Sequence, residues 1–191
     1  MDLARTNGVL RPRDLDNRGI ARQYLRHAEQ RGLVVRSGRG LYRVADAEIT
    51  EFHSLAEVAK RIPRGVICLI SALSFHNVGT QIPHAVWLAI GEKDRRPILD
   101  YSPLKTVRFS VLSLEFGRES HIIESVPTQV FSVAKTVADC FKYRNKLGLD
   151  VALEALRESL RSRKATPAAL WEAAKICRVA NVMRPYMEAL V

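Results

Sequence analysis

Residues 20–44 read IARQYLRHAEQRGLVVRSGRGLYRV. Ala21, Leu25 and Ala28 recur at i, i+4 and i+7, which predicts a helix over residues 21–30 with one apolar face. Arg22 and Arg26 fall one turn apart on another face, beside Gln23 and His27. Gly32 supplies the stop signal just past the helix. Two β-prone runs follow, LVVR at 33–36 and LYRV at 41–44, around the turn Ser37-Gly38-Arg39-Gly40. Short strands around a glycine-bearing turn predict a hairpin. A helix leading straight into a hairpin tipped with arginine is the reading head of a winged helix-turn-helix, the helix lying in the DNA major groove and the wing on the backbone.

Charge points the same way. Residues 1–44 hold ten arginines, no lysine and four acids, a net charge of +6. The planar guanidinium fork suits phosphate and guanine better than an ammonium does. The whole chain of 191 residues carries +10, which implies a polyanionic partner. Residues 45–130 carry −1 and residues 131–191 carry +5, so positive charge gathers at the two ends.

Outward from the head, residues 2–7 read as the end of a first helix closed by Gly8. Arg11 to Leu15 begin a second, with Pro12 in its first turn, and Asn17-Arg18-Gly19 make the turn before the reading helix. The predicted head spans residues 1–48. Residues 49–191 form a second, α+β domain. Its helix at 51–61 uses Phe52, Leu55, Val58 and Ala59 as an apolar face. An apolar run at 66–70 leads into a short helix ending at His76. Strand-like runs at 85–90, 106–112, 121–126 and 128–133 predict a small antiparallel or mixed sheet, at about 85–133, with helices on one side. Residues 134–191 read as helical, with Thr166-Pro167 as cap and first-turn proline.

Cys68, Cys140 and Cys177 are far apart and sit among apolar neighbours. They predict neither a disulfide framework nor a metal site but small core side chains in a reducing, cytoplasmic setting. No apolar run approaches a membrane span. No cofactor is implied and no catalysis is expected. There is no GK[ST] phosphate loop. The closely spaced acidic pair Asp46 and Glu48 lies in a linker, and two-metal chemistry needs such pairs held in a site. His27, His53, His76, His84 and His121 form no HExxH. Ser71 and Ser74 lack a Gly-x-Ser-x-Gly setting.

The string KTVADCFKYRNKLGLDVALEAL at 135–156 resembles the AbiEi-type antitoxins of bacterial abortive-infection, type IV toxin–antitoxin systems. RGLVVRSGRGLYRV at 31–44 and the stretch HSLAEVAKRIPRGVICLISALSFHNVGTQIPHAVWLAI at 53–90 are similar to the same family, so the resemblance runs over nearly the whole chain. It implies a winged helix-turn-helix ahead of an antitoxin domain. It further implies repression of the protein's own operon at inverted repeats in promoter DNA, and neutralisation of a nucleotidyltransferase-like toxin from the adjacent gene, with or without direct contact. Carried onto this chain, Arg22, Gln23 and Arg26 fall on the reading helix, with Arg18 ahead of it. Arg36, Ser37, Arg39 and Arg43 fall on the wing. Lys135, Lys142, Tyr143 and Lys146 are expected on the outer side of the 134–146 helix as an antitoxin surface. Asp139 is expected to pair locally, with Lys135, Lys142 or a neighbouring helix. An RNA- or protein-binding scaffold acting through the basic C-terminal helices is the alternative.

Overall fold

In the head, the observed elements follow the quoted stretch closely. The computed structural model of the protein describes residues 8–99 and 103–190, so the helix expected at 2–7 lies outside the described residues. The first element is a two-residue strand, β1 (Val9–Leu10), which sequence reasoning did not anticipate. Then come α1 (Pro12–Asp16), α2 (Gln23–Gln30) and the hairpin β2 (Val34–Gly38) and β3 (Leu41–Val44). All three strands pair antiparallel in the order β1-β3-β2, with Leu10 opposite Tyr42 and Val35 opposite Arg43. Helix α2 starts two residues later than expected, because Arg22 is its cap. Its other end closes through Leu33 N donating to Ala28 O at 2.9 Å across Gly32, whose φ of +66° only glycine adopts freely.

Leu10, Leu15, Leu25 and Val44 make a small core between these helices and the sheet, joined by Ile20 and Tyr42. Val9 and Leu41 point the other way. They share a second core with Leu55 and Val58 of α3 (His53–Arg61) and with the larger sheet beyond it. Helix α3 is thus packed on two sides, and Leu55, Ala56, Glu57, Val58 and Ala59 are all buried rather than a single apolar stripe.

Polar ties reinforce this packing. Arg11 donates to the Lys60 carbonyl at 2.7 Å, Lys60 Nζ meets the Asp14 carboxylate at 3.2 Å, and Arg61 donates to the Arg39 carbonyl at 3.1 Å. On the opposite side His53 lies between two carboxylates, Glu57 at 3.5 Å and Glu124 at 2.6 Å. These hold its imidazole protonated, raising its pKa to about 9 against the lowering effect of burial. Glu124 also accepts from Thr50 N and Oγ1, at 2.8 and 2.9 Å.

The larger sheet contains β4 (Val66–Ile67), β5 (Val86–Gly91), β6 (Leu104–Phe109), β7 (Arg118–Ile123) and β8 (Val126–Phe131), in the order β6-β5-β4-β8-β7. It is mixed: β5–β6 and β4–β8 run parallel, β4–β5 and β7–β8 antiparallel. Helices cover both faces, which corrects the one-sided layer. Val86, Leu88 and Ile90 turn toward α3, while Trp87 and Ala89 face the C-terminal helices. The period-2 alternation is apolar on both sides, as in any sheet buried on two faces.

The 66–70 run divides between β4 and α4 (Leu69–Phe75). The expected strand at 106–112 stops at Phe109, and α5 (Val111–Glu115) replaces its tail. Helices α6 (Val133–Lys142), α7 (Arg144–Leu147), α8 (Leu149–Arg161), α9 (Pro167–Ile176) and α10 (Ala180–Glu188) complete the fold. Ser132 caps α6 and Thr166 caps α9, each accepting from the backbone N–H three residues on.

Candidate nucleic-acid interface

Helix α2 buries only Leu25; Gln23, Tyr24, Arg26, His27, Glu29 and Gln30 are exposed. On a 3.6-residue wheel Gln23, Arg26, His27 and Gln30 are turned away from Leu25, while Arg22, three residues before Leu25, flanks the buried side. The surface they make is a ridge of donors and acceptors. Arginine and glutamine are the side chains that bond guanine and adenine edges with two hydrogen bonds.

Arg18, Arg22, Gln23 and Arg26 are all exposed where sequence placed them, Arg18 in the turn ahead of the helix. Arg22 is not loose. Its Nε lies 3.0 Å from both Asp16 carboxylate oxygens and its Nη2 2.5 Å from Oδ2. That pairing was not foreseen, since Asp16 lies on another helix.

On the hairpin, Arg36 and Arg39 are exposed. Arg36 Nε donates to the Gly38 carbonyl at 3.3 Å, which folds its stem along the tip. Arg43 is half-buried and donates to the carbonyls of Val44 and Ala45 at 3.1 and 3.4 Å. Ser37 is half-buried with its hydroxyl covered and without a hydrogen-bond partner, so it offers little to a phosphate. Arg61, from α3, joins the hairpin through the Arg39 carbonyl and is exposed. Its position in a separate helix hid it from a reading based on local spacing. Every cation of the described head is arginine. The first lysine in the chain, Lys60, lies under the head against Asp14.

The expected antitoxin surface divides. Lys135 is a correction: it is wholly buried, its Nζ 2.5 Å from Asp139 Oδ2 and over the rings of Phe109 and Phe131, at 4.5 and 4.4 Å. Helix α6 is buried continuously from Lys135 to Phe141, so a polar stripe on it has no solvent side to face. Asp139 pairs locally as expected and also accepts from Cys177 Sγ at 3.3 Å. Burial raises its pKa in spite of Lys135. All three cysteines are buried, and burial pushes Cys177 up to about 12.

Lys142 and Lys146 are exposed beside half-buried Tyr143, whose hydroxyl donates to the Arg108 carbonyl at 3.2 Å. Lys146 lies over the Tyr143 ring at 5.6 Å and Lys142 over Phe109 at 5.4 Å. They make a cationic, partly aromatic patch beside the end of β6, to which Arg108 contributes its backbone carbonyl.

Residues 1–45 match the family model of the AbiEi antitoxin transcriptional regulators. The match covers the head, not the 135–156 string. The chain is also similar to the RV2827C protein from Mycobacterium tuberculosis, known from a crystal structure. Identity is 14%, the alignment covers 95% of this chain and 75% of that one, and the TM-score is 0.48. No curated protein matches the sequence. No helix among the described residues is long and apolar enough to cross a membrane.

Proposed function

We propose that this protein is an antitoxin that also regulates transcription, docking on double-stranded promoter DNA through an N-terminal winged helix-turn-helix. The observation that carries this reading is the exposed face of Gln23, Arg26, His27 and Gln30 turned away from Leu25, with exposed Arg22 at its N-terminal edge, followed by an arginine-tipped hairpin. The family match over residues 1–45 supports it. In this account α2 reads base edges from the major groove. Arg18, Arg36, Arg39 and Arg43 meet phosphates, which set register without carrying sequence information. Binding at inverted repeats represses the protein's own operon, in the cytoplasm, as part of a phage-defence pair. The chain performs no catalysis itself.

A band shift on the DNA upstream of its own gene tests the reading. Arg26→Ala should lower affinity for that DNA by about tenfold or more while binding to unrelated duplex changes far less. An equal loss on both would remove Arg26 from base reading.

The patch of Lys142, Tyr143 and Lys146 favours a second activity in the same chain, contact with an acidic partner such as the toxin of the adjacent gene. Growth rescue on co-expression with that toxin tests the antitoxin half.

A further inference from the structure

We propose that Asp16 is a positioning residue that presents Arg22 for two-bond recognition of a guanine edge in the major groove. This rests on the DNA-docking reading above.

A guanidinium has five N–H donors in a fixed plane. Asp16 engages the side of that plane, through Nε and Nη2. The end-on edge stays open, with both Nη1 hydrogens and the second Nη2 hydrogen pointing outward. Two parallel donors on that edge match the O6 and N7 acceptors of guanine.

The pair spans six residues and two helices. The turn between them is held by Ile20 N donating to Leu15 O at 3.0 Å and by Gly19 at φ +68°. Arg22 is the cap of α2, the end from which such helices reach bases. A long side chain held in one rotamer gives up less entropy when it binds.

Stability alone does not explain the pair. Both partners are well exposed, 66% and 40%, and exposed ion pairs contribute little. A carboxylate on a DNA-facing surface also repels phosphate. Asp14, by contrast, is turned inward onto Arg11 and Lys60. Arg22's hydrogen bonds hold Asp16 below the usual carboxylate range, so the pair is fully charged at neutral pH.

The test is selection of preferred sequences from randomised duplex DNA by the full chain, repeated with Asp16→Ala, Asp16→Asn, Arg22→Ala and the double substitution Asp16→Ala/Arg22→Ala. Asp16→Ala should bind random duplex as well as the wild type or better, yet lose about tenfold in preference for one guanine position. Arg22→Ala should lose the same position, the double substitution no more than that, and Asp16→Asn an intermediate amount. If Asp16→Ala gains affinity equally on every sequence with all preferences intact, the carboxylate is only a counter-ion and the proposal falls. If the wild type itself enriches no motif, the DNA-docking reading falls and takes the proposal with it. In the former case the wild type still selects a site, so the two failures are separable.

Discussion

At the scale of single residues, the Lys135–Asp139 pair is the feature most exposed to test. Both side chains are 0% exposed, in a shell formed by Phe109, Phe131 and Cys177. Two opposed effects act there. Moving the charges out of water is costly, and their mutual attraction offsets that cost only while both are present. Lys135→Ala should therefore destabilise the fold by about 3–5 kcal/mol, read as a lower urea midpoint. Lys135→Met combined with Asp139→Leu should recover most of the loss, since apolar groups of similar volume need no partner. A double variant as unstable as the single would mean that the pair does more than neutralise itself. Lys135 also marks a limit of reading from sequence. A lysine four residues before an aspartate is the ordinary pattern of a wet helix face. Only the layers around α6 reveal that this helix has no such face. The Asp16–Arg22 pair was hidden for a related reason, because its partners sit on different helices and spacing along one helix cannot join them.

Elements join at the β7–β8 turn, where Glu124 meets the linker and α3. His53, raised to about 9 from its ordinary 6.5, binds its proton more tightly folded than unfolded. Its contribution to stability is therefore complete below about pH 6.5 and is lost as pH rises through about 9. The difference in melting midpoint between wild type and His53→Gln should be largest at pH 6 and shrink toward pH 9.5. A difference independent of pH would show that His53 acts through packing alone. Gly8 sits against the same turn, and a Cβ there would lie 1.6 Å from the Glu124 carbonyl oxygen. Legibility varied by element for identifiable reasons. The β2–β3 hairpin announced itself through glycine and β-branched residues. The β7–β8 turn did not, because its two left-handed residues are Glu124 and Ser125, at φ 48° and 62°, where Asn-Gly is the usual signal. The expected strand at 121–126 therefore ran across the turn. Strands β1 and β4 have two residues each, too few for any periodicity to appear.

Across the whole molecule, head and body share a core. Val9 and Leu41 belong with Leu55, Val58 and the larger sheet. Among the described residues, the core cluster that belongs to the head alone holds four buried side chains, Leu10, Leu15, Leu25 and Val44. So few apolar groups rarely sustain a fold alone. A fragment of residues 1–48 should be largely unfolded by circular dichroism, and extending it through α3 to residue 64 should restore helical signal. A fully folded 1–48 fragment would show that the shared core is dispensable. The charge blocks, by contrast, were legible from sequence in full, because counting needs no contacts.

The all-arginine make-up of the head has a practical side. Acylating reagents find no side-chain amine there, and Lys60, the first one in the chain, is tucked against Asp14. Fluorophores coupled to lysine side chains would thus fall on residues 60–175 and leave the arginines of α2 and the hairpin unmodified.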